Sequence, residues 1–178
     1  GLGEVYHYYV EGPHATATDP QVVEAELTDQ RTMQEWVLRP LLKGVPGVID
    51  VNGMGGFVKQ YQVLVDPAKL RKFDLTLQQI IVKAVGGTPV FVRDVAEVRI
   101  GHAVRHGAVV LNGEREVVIG TVLMIRGGNA RQVVEAVKTK VEDLHQSHIL
   151  PGGTRLIPFY DRIELVNAAI HTVRDALI

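Results

Sequence analysis

One pattern limits the fold of this chain more than any other: strand, helix, Pro-Gly break and strand occur in that order twice. In the first copy Val5–Val10, rich in valine and tyrosine, reads as a strand. After a loop over Glu11–Thr18, a helix is expected from near Thr28, with Thr28 as N-cap and Asp29 at its positive end. Met33, Trp36, Val37 and Leu41 recur at helical spacing, Pro40 marks a kink or an early end, and Gly44 with Pro46-Gly47 closes the helix. Val48–Asn52 is the next strand. In the second copy Gly120–Ile125 is a strand and Asn129 an N-cap. Val133, Val134, Val137, Val141 and Leu144 then form an amphipathic stripe. Pro151-Gly152-Gly153 breaks the chain before a strand over Thr154–Tyr160. Two such units, with helices near 29–43 and 129–146 on one face of one sheet, make an α+β fold of ferredoxin-like βαβ-βαβ plan.

The copies are separated by an insert over about Phe57–Gly87. It holds an alternating strand (Tyr61, Val63, Val65) and a helix expected over Thr76–Val85. The stretch "GGTPVFVRDVAEVRIGHAVRHG" (Gly86–Gly107) begins with a turn and a short strand, Val90-Phe91-Val92. On these residues alone a metal site, an anion site and a junction between two layers of the fold stay open.

Composition removes whole classes of function. A net charge of −1 gives no field toward nucleic acid, and 6% aromatic residues provide little surface for base stacking. Without cysteine there is no disulfide frame, thiolate zinc site or cysteine nucleophile. Ser147 is the single serine, so no Ser/His/Asp arrangement is credible and no enzymatic chemistry is expected. No stretch approaches the ~20 apolar residues that cross a bilayer. A chain that starts on glycine with no signal peptide before it reads as a segment of something longer.

Five motifs occur in order: "PGVIDVNGMGG", "KQYQVLVDPAKLRKFDLTLQQI", "GTPVFVRDVAEVRIG", "VVLNGEREVV" and "YDR". Together they resemble the first large periplasmic loop of resistance–nodulation–division exporters, in wording closest to the heavy-metal branch of cobalt–zinc–cadmium resistance type. The resemblance spans nearly the whole chain. It implies a porter subdomain whose halves are residues 1–56 and 88–163. Between them lies a partly missing docking subdomain, residues 57–87, and residues 164–178 lead into a transmembrane helix. In the family a longer arm follows the "LTLQQI" segment, whereas here Ile81 follows Ile80 at once. The resemblance further implies the periplasmic part of an inner-membrane, proton-driven pump for divalent cations (zinc, cobalt, cadmium or nickel). Its partners would be a homotrimer, a membrane-fusion adaptor and an outer-membrane channel. An exporter of organic amphiphiles is the alternative within the family, although its phenylalanine-lined cleft fits poorly with four phenylalanines. A stand-alone binding module is the alternative outside it.

No cofactor is expected, but a transported cation is, with zinc or cobalt first. The candidate metal residues are Glu4 and Asp50. Unbroken alternation puts Tyr6 and Tyr8 on the face of Glu4, and Val5, His7 and Tyr9 on the other. Asp50 interrupts Val48-Ile49-Asp50-Val51, where an apolar residue would serve a core better. In the family the substrate cleft runs along the surface that such a strand presents, and two carboxylates suit a hard or borderline divalent ion. Both are therefore expected on the cleft side, partly exposed and not paired to Lys or Arg; the alternative is two solvated strand-end acids. Other candidates carry less. His102 and His106 would stand roughly 13 Å apart on an extended chain. His145 and His148 sit at a helix end that favours cations. Of the three methionines, Met33 and Met124 belong to apolar stripes and only Met54, in a glycine turn, is expected to be exposed. Gly53–Gly56 and Arg126–Asn129 read as turns rather than phosphate cradles.

Overall fold

The computed structural model describes residues 3–72, 83–85, 88–90, 92–105, 107–147 and 149–176; of 83–85, 88–90 and 176 it describes the backbone. The chain forms two compact units. One joins residues up to Val58 with those from Arg105 onward, and the other is Lys59–Val104.

The first unit is built on a four-stranded sheet. Its strands are β1 (Gly3–Glu11), β2 (Val48–Met54), β9 (Val118–Met124) and β10 (Arg155–Asp161), in the order β10-β1-β9-β2 and antiparallel throughout. Each copy of the duplicated pattern thus receives a strand of the other between its own two, the split β-α-β arrangement. Side chains of both helical segments enter one core with those of the sheet, so both segments cover the same face. Val133, Val134, Val137, Val141 and Leu144 of α5 (Ala130–Gln146) are all buried, as the stripe requires. The Asn129 side chain accepts the Gln132 N–H at 3.3 Å, so the helix start after "RGG" is capped from within the chain. Gly120 on β9 lies under the Tyr8 ring. A Cβ there would stand 2.2 Å from the tyrosine Cζ, so only glycine lets this ring lie flat on the strand.

The first helical segment differs from the expectation at both ends of its pattern. It begins at Pro20, not near Thr28. Asp19 accepts the Gln21 N–H at 2.9 Å, and Pro20 occupies a position where a missing N–H costs nothing. Thr28 instead bonds back to the Glu24 carbonyl from within α1 (Pro20–Met33). Pro40 does not end the run: a π-helical turn over Gln34–Leu38 widens the backbone ahead of the proline, and α2 (Arg39–Lys43) continues to Gly44. The buried row is Leu27, Gln30, Gln34, Leu38 and Leu42, and Trp36 lies off it, 79% exposed. Gln34, wholly buried, accepts the Tyr8 hydroxyl at 2.9 Å.

The remaining elements of this unit are the hairpin of β7 (Val110–Leu111) with β8 (Arg115–Glu116), and α6 (Arg162–Ala176). Asp161 begins α6 by accepting the Ile163 N–H at 2.7 Å. Its buried carboxylate is also paired with Lys138 of α5, and Lys138 Nζ lies 3.4 Å from Glu164. Most of α6 is exposed, and among the described residues no helix is long and apolar enough to cross a membrane.

In the second unit β3 (Lys59–Val65) pairs along its whole length with β6 (Ala96–His102), from Lys59 opposite His102 to Val65 opposite Ala96. The segment from residue 88 therefore does not open the second half of the main sheet, and the boundary lies between Val104 and Arg105. Hydrogen bonding to β3 decides this, and nothing local in the sequence reveals that partner. The unit also holds α3 (Pro67–Lys72), a ribbon of β4 (Lys83–Val85) with β5 (Thr88–Val90), and a helical turn α4 (Val92–Val95). Residues 83–85 are thus strand rather than helix, Arg93 and Asp94 lie in α4, and the Ile80–Ile81 junction lies outside the described residues.

Candidate cation-contact face of the sheet

Glu4 and Asp50 both stand opposite Leu123 of β9, one on each side of it, about two strand spacings or roughly 9.5 Å apart. The row places both near one end of the sheet, yet their carboxylates have different surroundings. Asp50 is not unpaired as expected: Arg39 donates to it through Nε at 3.0 Å and Nη2 at 2.8 Å. The Val51 N–H adds 2.9 Å to Oδ1, and Lys43 Nζ stands 3.9 Å away. Chiefly through its hydrogen bonds, Arg39 holds the Asp50 carboxyl below its ordinary range. Arg39 also reaches Glu35 at 3.2 Å, and Glu35 binds Arg31 at 2.9 Å, so Asp50 ends a charge ladder along the helix. An apolar residue at position 50 would leave that arginine without its principal partner.

Glu4 has another neighbour. The β1–β9 register shifts between Glu4 and Tyr6, and this bulge breaks the alternation assumed from the sequence. As a result Glu4 Oε2 lies 3.4 Å from His7 Nε2. The His7 ring is positioned by Tyr160, with centroids 4.6 Å apart, and by the edge of Phe159 at 5.6 Å. Its side chain is 18% exposed against 60% for Glu4, and Nε2 is buried with no hydrogen-bond partner. A zinc-like ion about 2.1 Å from both atoms, across the 3.4 Å gap, would subtend about 108°, close to tetrahedral. The pair has the chemistry and spacing of half a coordination shell. No group of three or more His, Cys, Asp or Glu is placed to hold a metal ion among the described residues, so further ligands would come from water or other chain. His7 is absent from the sequence-derived candidates because strict alternation sends it to the face opposite Glu4.

Among the other described candidates, His145 has a structural role. His102 lies in β6, opposite Lys59, and His106 lies outside the described residues. His145 accepts the Leu156 N–H on Nε2 at 2.9 Å, tying α5 to β10, while His148 lies outside the described residues. Met124 is buried and Met54 is 55% exposed, as expected. Met33 packs against the core.

A family model described as the AcrB/AcrD/AcrF family matches residues 4–81 and 77–178. The chain belongs to the AcrB/AcrD/AcrF family. This bears out the exporter resemblance read from the five motifs. Among its curated relatives, Protein HelA of Legionella pneumophila is 34% identical over 218 residues. The cobalt-zinc-cadmium resistance protein CzcA of Cupriavidus metallidurans is 35% identical over 218 residues. Each alignment covers 100% of this chain and 20% of the relative, so the chain spans about a fifth of their length. The fold is similar to that in a crystal structure of a heavy metal efflux pump, with a TM-score of 0.77 and 27% identity over 97% of this chain and 20% of that one. The AcrB-family match comes in two pieces that meet at residues 77–81, and alignments of 218 positions exceed the 178 residues here. Relatives therefore carry residues with no counterpart in this chain.

Proposed function

We propose that this chain is the periplasmic porter portion of a proton-driven exporter of divalent heavy-metal cations, zinc or cobalt first, and that Glu4 and His7 contact the passing ion. The Glu4–His7 geometry carries the reading: a carboxylate oxygen on the exposed Glu4 side chain and an imidazole nitrogen of His7, 3.4 Å apart along β1. A borderline ion such as zinc or cobalt suits this oxygen–nitrogen pair, whereas copper(I) prefers sulfur. The names of two matches, a cobalt-zinc-cadmium resistance protein and a heavy metal efflux pump, support the same class of cargo. Two ligands leave the shell incomplete, which favours release over retention and suits a cargo that must move on. A homotrimer, a membrane-fusion adaptor and an outer-membrane channel complete the assembly in this reading. No enzymatic step is assigned to the chain.

Zinc titration of the chain, followed by the NMR shifts of the His7 ring, tests the site. Glu4→Gln is expected to weaken binding at least about tenfold, because losing even an outer-shell partner of a metal costs that much. In the whole pump, Glu4→Gln or His7→Phe should lower zinc or cobalt resistance at equal protein level. Asp50→Asn serves as the comparison, since Arg39 already occupies that carboxylate. Unchanged resistance in both the Glu4 and His7 variants would remove the pair from the export path.

A further inference from the structure

The Glu4–His7 pair raises a question of access. The Glu4 side chain is open to solvent, but His7 Nε2, the nitrogen that would take the ion, is buried and has no hydrogen-bond partner. An atom closed to water is closed to a hydrated ion as well, so something beside the ring has to move. Glu4, Tyr160 and Phe159 stand against that ring. Glu4 Oε2 lies 3.4 Å from Nε2. The Tyr160 ring is tilted by 39° with centroids 4.6 Å apart, and Phe159 meets the imidazole edge-on, at 73° and 5.6 Å.

These neighbours are not equally free to move. Glu4 is itself a ligand, so its departure would undo the site. Tyr160 is partly buried and sits opposite His7 in the β1–β10 ladder. Phe159 has neither restraint. It lies on β10, an outer strand of the sheet. The register passes from Tyr160, opposite His7, to Pro158, opposite Tyr8, so Phe159 is the extra residue of a bulge. Pro158 before it has no N–H to give to a ladder. The Phe159 side chain is 52% exposed, so little packing holds its ring. Bulges of this kind re-aim a side chain next to a functional site, and this one sends Phe159 to the edge of His7. We propose that Phe159 is the lid of the ion contact: its ring closes the approach to His7 Nε2 and swings outward to admit the ion. The inference rests on the reading of Glu4 and His7 as that contact. Rotation of one exposed side chain is enough, and the sheet stays as it is. Apparent affinity then scales with the fraction of molecules whose lid is open.

Zinc titration of the 178-residue chain, read at the NMR shifts of the His7 ring, compares the native protein with Phe159→Ala and Phe159→Trp. Minor open states are populated to about 0.1–10%, so Phe159→Ala should tighten apparent binding at least about tenfold. Phe159→Trp should weaken it. A residue that only steadied the His7 ring would give the opposite sign, with weaker binding in Phe159→Ala. A second readout needs no metal: modification of His7 by diethyl pyrocarbonate, mapped by mass spectrometry with His145 as internal reference. It should run at least about tenfold faster in Phe159→Ala. Both variants alter an exposed side chain on an outer strand, which spares the fold. Zinc shifts at His7 with affinity and reactivity unchanged or lower in Phe159→Ala overturn the lid alone. Faster modification of His7 with no zinc shift there in any of the three proteins removes the ion contact, and the lid with it.

Discussion

Tyr8→Phe removes a single oxygen from the interior of the first unit, and the structure sets the cost. The Tyr8 hydroxyl is fully buried and donates to Gln34 Oε1 at 2.9 Å, joining β1 to the π-helical turn 26 residues away. Without it the Gln34 oxygen has no donor, in a side chain whose Nε2 is already buried and unpartnered. Leaving one such group unsatisfied costs about 1–3 kcal/mol. Gln34→Leu orphans the tyrosine hydroxyl instead and should cost a similar amount. The double variant leaves neither group behind, so its loss should fall short of the sum by about 1–2 kcal/mol. Urea unfolding followed by far-UV circular dichroism measures all four proteins. A double variant whose loss equals the sum, within about 0.5 kcal/mol, would refute the pairing argument. The same burial gives a pH signature. Desolvation raises the Tyr8 phenol above its ordinary value of 10.0. Its folded-state value thus exceeds the unfolded one, so this contribution is complete below pH 10 and is lost as pH rises toward the folded value. Tyr8→Phe should flatten that alkaline decline; Tyr6, also raised by burial, shares the direction and remains.

Asp50 supplies the opposite limb. Its carboxyl is lowered from 3.8 by Arg39, so its contribution is present above that value and lost as pH falls through the folded one. Urea midpoints between pH 3 and 7 should therefore fall less steeply toward acid in Asp50→Asn, and parallel profiles would argue against the ladder. Peroxide should oxidise Met54, 55% exposed, well before Met124, 5% exposed, as read by peptide mass mapping; equal rates would contradict the burial of β9.

Local physics reaches far in this chain. The α5 stripe and its Asn129 cap lie within a few residues of one another, so helical periodicity alone places them. The repeated strand–helix–strand order also follows from local signals, and five ordered motifs are enough to resemble a family. Asp19-Pro20 was legible as a helix start too, and the weaker Thr28-Asp29 signal misplaced it. The site depended on tertiary choices. A one-residue bulge in β1 decides whether Glu4 faces Tyr6 or His7, and it exists only through pairing with β9. Asp50 reads as a spare acid until the helix folds over β2 and delivers Arg39 to it. Likewise β6 alternates well enough for either sheet, and β3, more than 30 residues away, claims it. Gln30 and Gln34 are polar letters in a helix until packing buries them and leaves an amide atom of each unpartnered. Side-chain period is set by neighbours along the chain. Register, ion-pair partners and the cost of a buried polar atom are set by residues that only folding brings near.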